Sequence, residues 1–194
     1  MAIFCTSDEH YDHLNVIRFD TRPFKDVADM QRGMIERHNV VVSKDDEVWH
    51  LGDFSMSEKT VPLILPQLNG THYLVHGNHD KSHPCQKHSE ATKQRYLQYG
   101  FAGVYQEVQN FYGFVLNHLP YVGQEEGNHG ARFSQWRPVD KGQYLLCGHV
   151  HVSWKTKGRM INVGVPQWDY APVSLDTLIA IRDKQNLIIK TNSQ

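Results

Sequence analysis

Short clusters of histidine, aspartate and asparagine recur along the chain, and each follows an apolar segment. Imidazole nitrogens and carboxylate or amide oxygens bind divalent metals, and imidazole also transfers protons near neutral pH. The 194 residues include 13 histidines, which are scattered along the chain and therefore do not form a purification tag. We expect a site built from imidazoles. The clusters read SDEH at 7–10, GD at 52–53, GNHD at 77–80, NHLP at 117–120 and GHVH at 148–151.

The spacing within the clusters predicts that their ligands converge. Asp8 and His10 are two residues apart, as are His149 and His151. In an extended segment, residues i and i+2 project from the same side of the backbone. A glycine directly precedes the aspartate of the second cluster, the asparagine of the third and the first histidine of the last. These glycines keep bulk away where the backbone must turn.

The first half of the chain alternates strand-like and helix-like segments. Such a βαβαβ order predicts a largely parallel sheet covered by helices. Open α/β sheets collect ligands at the carboxyl ends of their strands, so the first three clusters meet if their strands are neighbours. The strand-like segments are AIFCTS, DEVWHLGD and THYLVHGN, and the helix-like ones are residues 26–40, 57–70 and 89–99.

The second half is richer in short apolar segments. In residues 103–120, apolar and polar residues alternate on both sides of a turn near 110–113, which predicts a hairpin. A β-rich half after an α/β half predicts two packed sheets with helices outside. QYLLCGHVHVSW, RMINVGV, LIAIRD and NLIIKT are interpreted as further short strands.

Composition predicts one domain, 1–194, of an ordinary globular kind. Hydrophobic residues make up 40% and charged residues 21%, with a net charge of -1 that gives no global attraction to polyanions. No apolar stretch is long enough to cross a bilayer, and the N-terminus has no secretion-signal pattern. Three cysteines without a CxxC spacing disfavour disulfides and thiolate zinc, so a reducing, cytoplasmic location is expected.

The ordered clusters resemble those of the calcineurin-like metallophosphoesterase family, over nearly the whole chain. The flanking segments LNVIRFDTRPF, RPVDKGQYLLCGHVH and INVGVPQWDYAPVS are similar to a small microbial and phage-associated branch of that family. The resemblance implies an α/β fold in which two mixed β-sheets pack together and helices flank them, a four-layer α/β/β/α sandwich.

The resemblance also implies a two-metal centre with a catalytic histidine that binds no metal. His79 would face the substrate, and Asp80 would be hydrogen-bonded to it. His13 is a candidate substrate contact; many relatives have glycine before this histidine, where this chain has Asp12. The implied ligands are Asp8, His10 and His151 for one metal, Asp53 as the bridge, and Asn78, His118 and His149 for the second metal.

The chemistry expected of such a centre is hydrolysis of phosphate mono- or diesters. Oxygen and imidazole ligands without thiolate suit two divalent ions, Mn²⁺ first, with Fe²⁺, Zn²⁺ or Ni²⁺ as alternatives. Four positive charges against the two carboxylates of Asp8 and Asp53 leave about +2, which suits a phosphate ester. A hydroxide activated by the two metals would attack phosphorus while His79 assists the leaving oxygen.

Two other functions remain open in the sequence. Between Arg132 and Arg159 there are six basic residues and one acidic residue, which favours a nuclease or a nucleic-acid end-processing phosphodiesterase. Arg132 and Arg137 are candidate substrate contacts, with a solvated surface as the alternative. A non-catalytic scaffold is disfavoured because no ligand position is missing. The expected partner is a phosphate ester, with a nucleotide or nucleic acid as the narrower alternative. No membrane is expected as a partner, and no protein partner can be inferred.

Overall fold

The structure is a computed structural model that describes residues 1–123 and 133–191. The strands are β1 (Ile3–Thr6), β2 (Glu47–His50), β3 (Thr71–Val75), β4 (Gly103–Tyr105), β5 (Val108–Phe111), β6 (Phe114–Leu116), β7 (Tyr144–Cys147), β8 (Thr156–Lys157), β9 (Met160–Asn162) and β10 (Val173–Ser174). The helices are α1 (Leu14–Phe19), α2 (Val27–Val41), α3 (Val61–Ile64), α4 (Ser89–Tyr99) and α5 (Leu175–Thr191).

The first sheet holds the three strands that precede the first three clusters. Its strand order is β10-β1-β2-β3-β4, with β1 to β4 parallel and β10 antiparallel to β1. Thr6 pairs with His50, and His50 pairs with Leu74, so the three strands end at the same level. The loops that follow them therefore leave the sheet side by side, as the sequence predicts.

Helices cover the outer face of this sheet. The side chain of Asp26 accepts a hydrogen bond from the backbone N–H of Asp29 at 2.8 Å, which caps the start of α2. Met30 and Met34 of α2 are buried against the sheet, together with residues of α3 and α4. The segment 57–70 is a short α3 between two 3₁₀ turns, since its prolines interrupt a longer helix.

The second sheet packs on the inner face of the first. Its order is β5-β6-β7-β9-β8, with β5 antiparallel to β6 in the predicted hairpin and β6, β7 and β9 parallel. In the described residues the chain therefore forms two five-stranded mixed sheets flanked by helices, which confirms the predicted fold class. The core between the sheets includes Cys5, Trp49 and Val75 from the first sheet and Leu116, Leu146 and Ile161 from the second.

The last two predicted strands are wrong, because LIAIRD and NLIIKT lie in the single helix α5. Leu175 and Leu178 are buried in the core between the sheets, and this three-residue spacing is helical. The backbone N–H of Thr177 donates to Ser174 Oγ at 3.3 Å, which marks the start of the helix. Within the described part of the chain, no helix combines the length and apolar character needed to span a membrane.

Candidate metal centre

The predicted clusters meet at one edge of the two sheets. The loops after β1 and β2 are joined by backbone hydrogen bonds from Asp8 N to Gly52 O, at 3.0 Å, and from His10 N to Asp53 O, at 2.9 Å. The loop after β7 joins them, because the backbone N–H of His149 donates to both carboxylate oxygens of Asp8 at 3.0 Å. Both sheets therefore contribute to a single site.

One group of metal-ligating atoms is formed by Asp8, His10 and His151. His10 Nε2 lies 3.2 Å from His151 Nε2, and His151 Nε2 lies 3.6 Å from Asp8 Oδ1. Ligands that share an ion through bonds of about 2.1 Å lie a little over 3 Å from one another. These three atoms therefore have the separations of ligands to one cation.

A second group is formed by Asp8, Asp53 and His118. Asp53 Oδ2 lies 3.4 Å from His118 Nε2 and 3.6 Å from His10 Nε2. This oxygen therefore lies between a histidine of the first group and a histidine of the second, which is the position that a bridging carboxylate needs.

Two buried atoms near this second group lack hydrogen bonds. His118 Nδ1 donates to the carbonyl oxygen of Leu51 at 2.8 Å, so Nε2 is the ring nitrogen that faces Asp53. Among the described residues, neither His118 Nε2 nor Asn78 Oδ1 makes a hydrogen bond, although both are buried. Buried acceptors without partners are costly, and a cation would satisfy them, so the residues fit a divalent metal.

The electrostatics separate the ligands into charged and neutral groups. Burial lowers the pKa of His149 to about 3 and that of His10 well below its usual value. Burial alone would also lower the pKa of His118, but the Asp53 carboxylate outweighs it and raises that pKa to about 9. The Asp53 carboxylate therefore favours a positive charge at His118 Nε2, either a proton or a bound metal ion.

Five of the seven predicted ligands adopt left-handed backbone conformations. In an L-residue a positive φ is strained, and such residues cluster at functional sites. The loops converge, but the expected route through extended segments is wrong, because each of these loops turns sharply at its predicted ligands. The φ angles are 56° for Asp8, 52° for His10, 56° for Asp53, 70° for His149 and 44° for His151.

Three of the glycines in the clusters are required by close approach. A Cβ on Gly52, whose φ is 97°, would lie 2.4 Å from the backbone nitrogen of Gly77. A Cβ on Gly77 would lie 2.2 Å from Asp53 Oδ1, and a Cβ on Gly148 would lie 2.0 Å from Ser7 Oγ and 2.5 Å from Asp8 Oδ2. The prediction that glycines exclude bulk beside the predicted ligands is confirmed at all three positions.

His79 lies beside the ligands and faces solvent. Its side chain is 45% exposed, and its Nε2 lies 4.0 Å from Asp53 Oδ2. Its backbone N–H donates to Asp53 Oδ1 at 2.8 Å, so the loop after β3 holds the ring at the edge of the metal-ligating groups. His79 also lines a cleft that opens over the predicted ligands.

Asp80 has a different role from the one predicted. Its buried carboxylate accepts hydrogen bonds from the backbone N–H groups of Asp53 at 2.8 Å, Phe54 at 3.1 Å and Gly77 at 2.8 Å. Among the described residues no hydrogen bond joins Asp80 to His79, so the predicted contact is wrong and the carboxylate instead holds the backbone of two loops. Burial and the neighbouring Asp53 raise the pKa of Asp80 to about 7, while the backbone donors oppose that rise.

Two residues outside the predicted set connect the ligand loops. Asp20 Oδ2 lies 2.8 Å from His151 Nδ1 and accepts from Arg22 Nε at 3.1 Å. Arg22 is buried and also donates to the backbone carbonyls of Asp8 at 2.8 Å and Glu9 at 2.9 Å. The sequence reasoning missed both residues, although their segment FDTRPF carries part of the family resemblance and could have identified them.

His13 lies next to the centre. Its ring centroid is 5.3 Å from that of His10, and its Nδ1 is buried without a hydrogen bond among the described residues. Asp12 has a φ of 64°, in the left-handed region that glycine favours and aspartate tolerates. Its carboxylate accepts from Thr60 Oγ1 at 3.2 Å, so the loop accommodates aspartate where many relatives have glycine.

The histidines outside the clusters are mostly structural. His50 Nδ1 lies 2.6 Å from Glu9 Oε1, and His50 Nε2 lies 3.0 Å from His72 Nδ1. Burial lowers the pKa of His50 and of His72 to about 3, so both rings are neutral. Similar buried contacts join His38 Nε2 to the Asn69 carbonyl at 2.9 Å and His76 Nε2 to Gln106 Oε1 at 3.0 Å.

A cleft of about 540 Å³ opens over the ligands. Arg137 lines it and donates to the carbonyl oxygen of Pro120 at 3.2 Å, whereas Arg132 lies outside the described residues. Lys155 lies elsewhere, with its Nζ 3.6 Å from the ring centroid of Trp168. Of the basic residues between 133 and 159, Arg137 alone lines the cleft.

Comparisons with known proteins show the family and the fold of this chain. An uncharacterized protein of Methanocaldococcus jannaschii is 30% identical over 98% of this chain and 96% of its own length. The gene 66 protein of Mycobacterium phage D29 is 32% identical over 88% of this chain and 92% of its own. The crystal structure of a protein of unknown function from Aquifex aeolicus shares the fold, with a TM-score of 0.66, 23% identity, and coverage of 93% of this chain and 98% of that one. The family model for the calcineurin-like phosphoesterase superfamily domain matches residues 1–179, and the chain therefore belongs to that family.

Proposed function

We propose that the protein is a metal-dependent phosphoesterase that hydrolyses phosphate mono- or diesters with two divalent ions. The observation that carries this proposal is the position of Asp53 Oδ2, 3.6 Å from His10 Nε2 and 3.4 Å from His118 Nε2. This carboxylate oxygen thus lies near a histidine of each of the two groups of ligand atoms. Family membership supports the same reaction class.

The ligand set decides which metals suit the site. When bound, two divalent ions supply a water of lowered pKa as the nucleophile and neutralise charge on the phosphate. The side chains offer oxygen and imidazole nitrogen without thiolate, so we propose Mn²⁺, with Fe²⁺, Zn²⁺ or Ni²⁺ as alternatives. One ion would be held by Asp8, His10 and His151, the other by Asn78, His118 and His149, with Asp53 between them.

His79 is the proposed proton donor. It lines the cleft, and its exposed ring lies beside Asp53 without belonging to either group of clustered ligand atoms. From there, Nε2 can donate a proton to the leaving oxygen of an ester, a role that contributes about 10²- to 10⁴-fold in rate. Arg137, on the wall of the same cleft, adds positive charge that attracts the anionic phosphate.

A small phosphate ester is favoured over nucleic acid as the substrate. A nucleic-acid groove follows the phosphate backbone with a row of basic side chains. Over residues 133–159, the cleft contains Arg137 but neither Lys155 nor the lysine and arginine of the β8–β9 hairpin. We therefore propose that the phosphate of a single small molecule binds at the centre.

The decisive experiment combines metal counting with hydrolysis. Chelator-stripped protein is supplied with Mn²⁺ and tested on bis(4-nitrophenyl) phosphate and 4-nitrophenyl phosphate. We expect two ions per chain and restored hydrolysis, both reduced in Asp53→Asn. Asp45→Asn makes the same chemical change on an exposed loop and is expected to leave both unchanged. Binding of fewer than two ions, or restored activity that survives in Asp53→Asn, would overturn the proposal.

A further inference from the structure

We propose that the cleft binds a planar apolar ring on the substrate, through an apolar wall that includes Phe19 and Val152. This inference rests on the proposed function and names the class of ester: one that carries a planar ring next to its phosphate. It is supported by the exposure of these two side chains, by their attachment to the ligand loops, and by the composition of the cleft.

Phe19 and Val152 are exposed although they are large and apolar. Phe19 is 74% exposed and Val152 is 52% exposed, and both line the cleft above the metal ligands. Exposed apolar side chains gathered in a concave site mark a place where a ligand removes them from water. An aromatic ring gains most from such contact when it lies against another planar ring.

Both side chains line the same cleft as the predicted metal ligands, and each is next in sequence to a residue of one hydrogen bond at the centre. Phe19 directly precedes Asp20, and Val152 directly follows His151. Asp20 and His151 are hydrogen-bonded at 2.8 Å, so the two apolar residues flank one rigid contact. A substrate group that lies on them is held at a constant distance from the phosphate at the centre.

Aromatic rings also lie beside the predicted ligands on two sides of the centre. The His13 ring is 5.3 Å from that of His10 and 6.5 Å from that of Phe19, measured between centroids. On another side, the Phe133 ring is 6.4 Å from that of His149 and also lines the cleft. Planar surfaces therefore border the centre next to ligands of both proposed metals.

The other residues that line the cleft suit a planar ring better than a sugar or a polyphosphate. Pro120 and Val150 add apolar surface, and Ser153 is the hydroxyl side chain among the described lining residues. A site that selects a sugar needs several polar groups to satisfy its hydroxyls, and one that selects a polyphosphate needs several cations. Apart from the predicted metal ligands, His79 and Asp20, the described wall provides apolar area with Arg137 as its cation. This matches one anionic phosphate bearing an apolar ring.

The test measures binding of inert phosphonates, so that it does not depend on turnover. Calorimetry compares phenylphosphonate with methylphosphonate on the Mn²⁺-loaded protein, and the readout is the ratio of their affinities. The variants are Phe19→Ala and Val152→Thr, the second of which keeps the shape of the side chain and adds a hydroxyl. Leu14→Ala is the matched control, because Leu14 begins the same short helix as Phe19, is 53% exposed and is not among the cleft residues.

We expect the wild-type protein to prefer the phenyl compound by about 10-fold, as one good aromatic contact provides. The preference should fall to within about 2-fold in Phe19→Ala, weaken in Val152→Thr and persist in Leu14→Ala. An undiminished preference in both cleft variants would overturn the inference, while metal-restored hydrolysis of the nitrophenyl esters would leave the proposed function standing. Wild-type protein that loads two ions but neither binds a phosphonate nor hydrolyses an ester would overturn both.

Discussion

His151 Nδ1 lies 2.8 Å from Asp20 Oδ2, and this contact links a predicted metal ligand of the second sheet to the turn after α1. A carboxylate that accepts from the far nitrogen of a ligating imidazole sets the ring's tautomer and orientation. Asp20 is in turn paired with the buried Arg22, which donates to the backbone of the β1 loop. The contact therefore holds ligands of both sheets in one geometry.

Replacing Asp20 by asparagine should weaken one metal site. The amide has the shape of the carboxylate but lacks its charge, so His151 is oriented and polarised less well. We expect the affinity for one of two Mn²⁺ ions to fall about 10- to 100-fold, with the other nearly unchanged. Calorimetric titration of chelator-stripped protein measures both affinities, with Asp45→Asn as the exposed control. Equal weakening of both sites would contradict a contact that acts through His151.

Replacing His79 by asparagine should separate metal binding from turnover. The ring is half exposed and outside both clusters of ligand atoms, so its loss should leave two ions bound. Loss of the proton donor should lower kcat about 10²- to 10⁴-fold. Metal content and kcat on a nitrophenyl ester are measured together, and His88→Asn serves as the control, because His88 is exposed and directly precedes α4. Unchanged turnover with both metals bound would remove His79 from the mechanism.

Replacing Asp80 by alanine should destabilise the fold rather than act through His79. The change leaves three buried backbone N–H groups without an acceptor, each at a cost of about 1–3 kcal/mol. We expect the free energy of unfolding, measured by urea denaturation with chelator present, to fall by about 3 kcal/mol or more. An orienting role for Asp80 predicts the opposite result, a stable variant with low kcat.

Acidification should destabilise the protein through its buried histidines, of which His38 offers the clearest test. Burial lowers its pKa to about 3, and the rings of His50 and His72 that face it disfavour its charge further. The unfolded chain has a histidine pKa near 6.5 and therefore binds more protons between about pH 3 and 6.5. Stability conferred by neutral His38 is present above pH 6.5 and is lost as the pH falls.

Between pH 7 and pH 5 this loss is about 2 kcal/mol for one such histidine. The variant His38→Gln keeps an N–H donor for the Asn69 carbonyl but does not titrate, so its unfolding free energy should fall less over this range. Glu9 has the opposite effect on stability as the pH falls, because burial raises its pKa to about 8. Glu9 is present in both the wild type and the variant, so its effect cancels in the comparison. Equal pH slopes in the wild type and His38→Gln would show that His38 does not contribute.

Much of the candidate site could be predicted because its information is local. Asp53, Asn78 and His118 follow strands directly, and parallel strands in register end at the same edge of a sheet. The glycines beside them are required because another loop passes too close to leave room for a Cβ. The position of Gly77 and Gly148 directly before a predicted ligand is enough to predict this.

The helix α5 shows where local pattern fails. The segments LIAIRD and NLIIKT contain apolar runs too short to distinguish a strand from a helix. The burial of Leu175 and Leu178 between the two sheets decides in favour of the helix, and that contact depends on strands more than 100 residues earlier in the sequence. Tertiary packing overrode the β propensity of the isoleucines.

The sequence by itself determined the types of the predicted ligands, their order along the chain and the family to which the chain belongs, since each motif is a short run of residues. Only the tertiary structure decided how the ligands converge, through left-handed turns at residues such as Asp8 and His151. It also decided which groups support them: Asp80 bonds to backbone, and Asp20 joins His151 across 131 positions of sequence. Such contacts depend on distances between loops of different strands, and no spacing along a single segment encodes them.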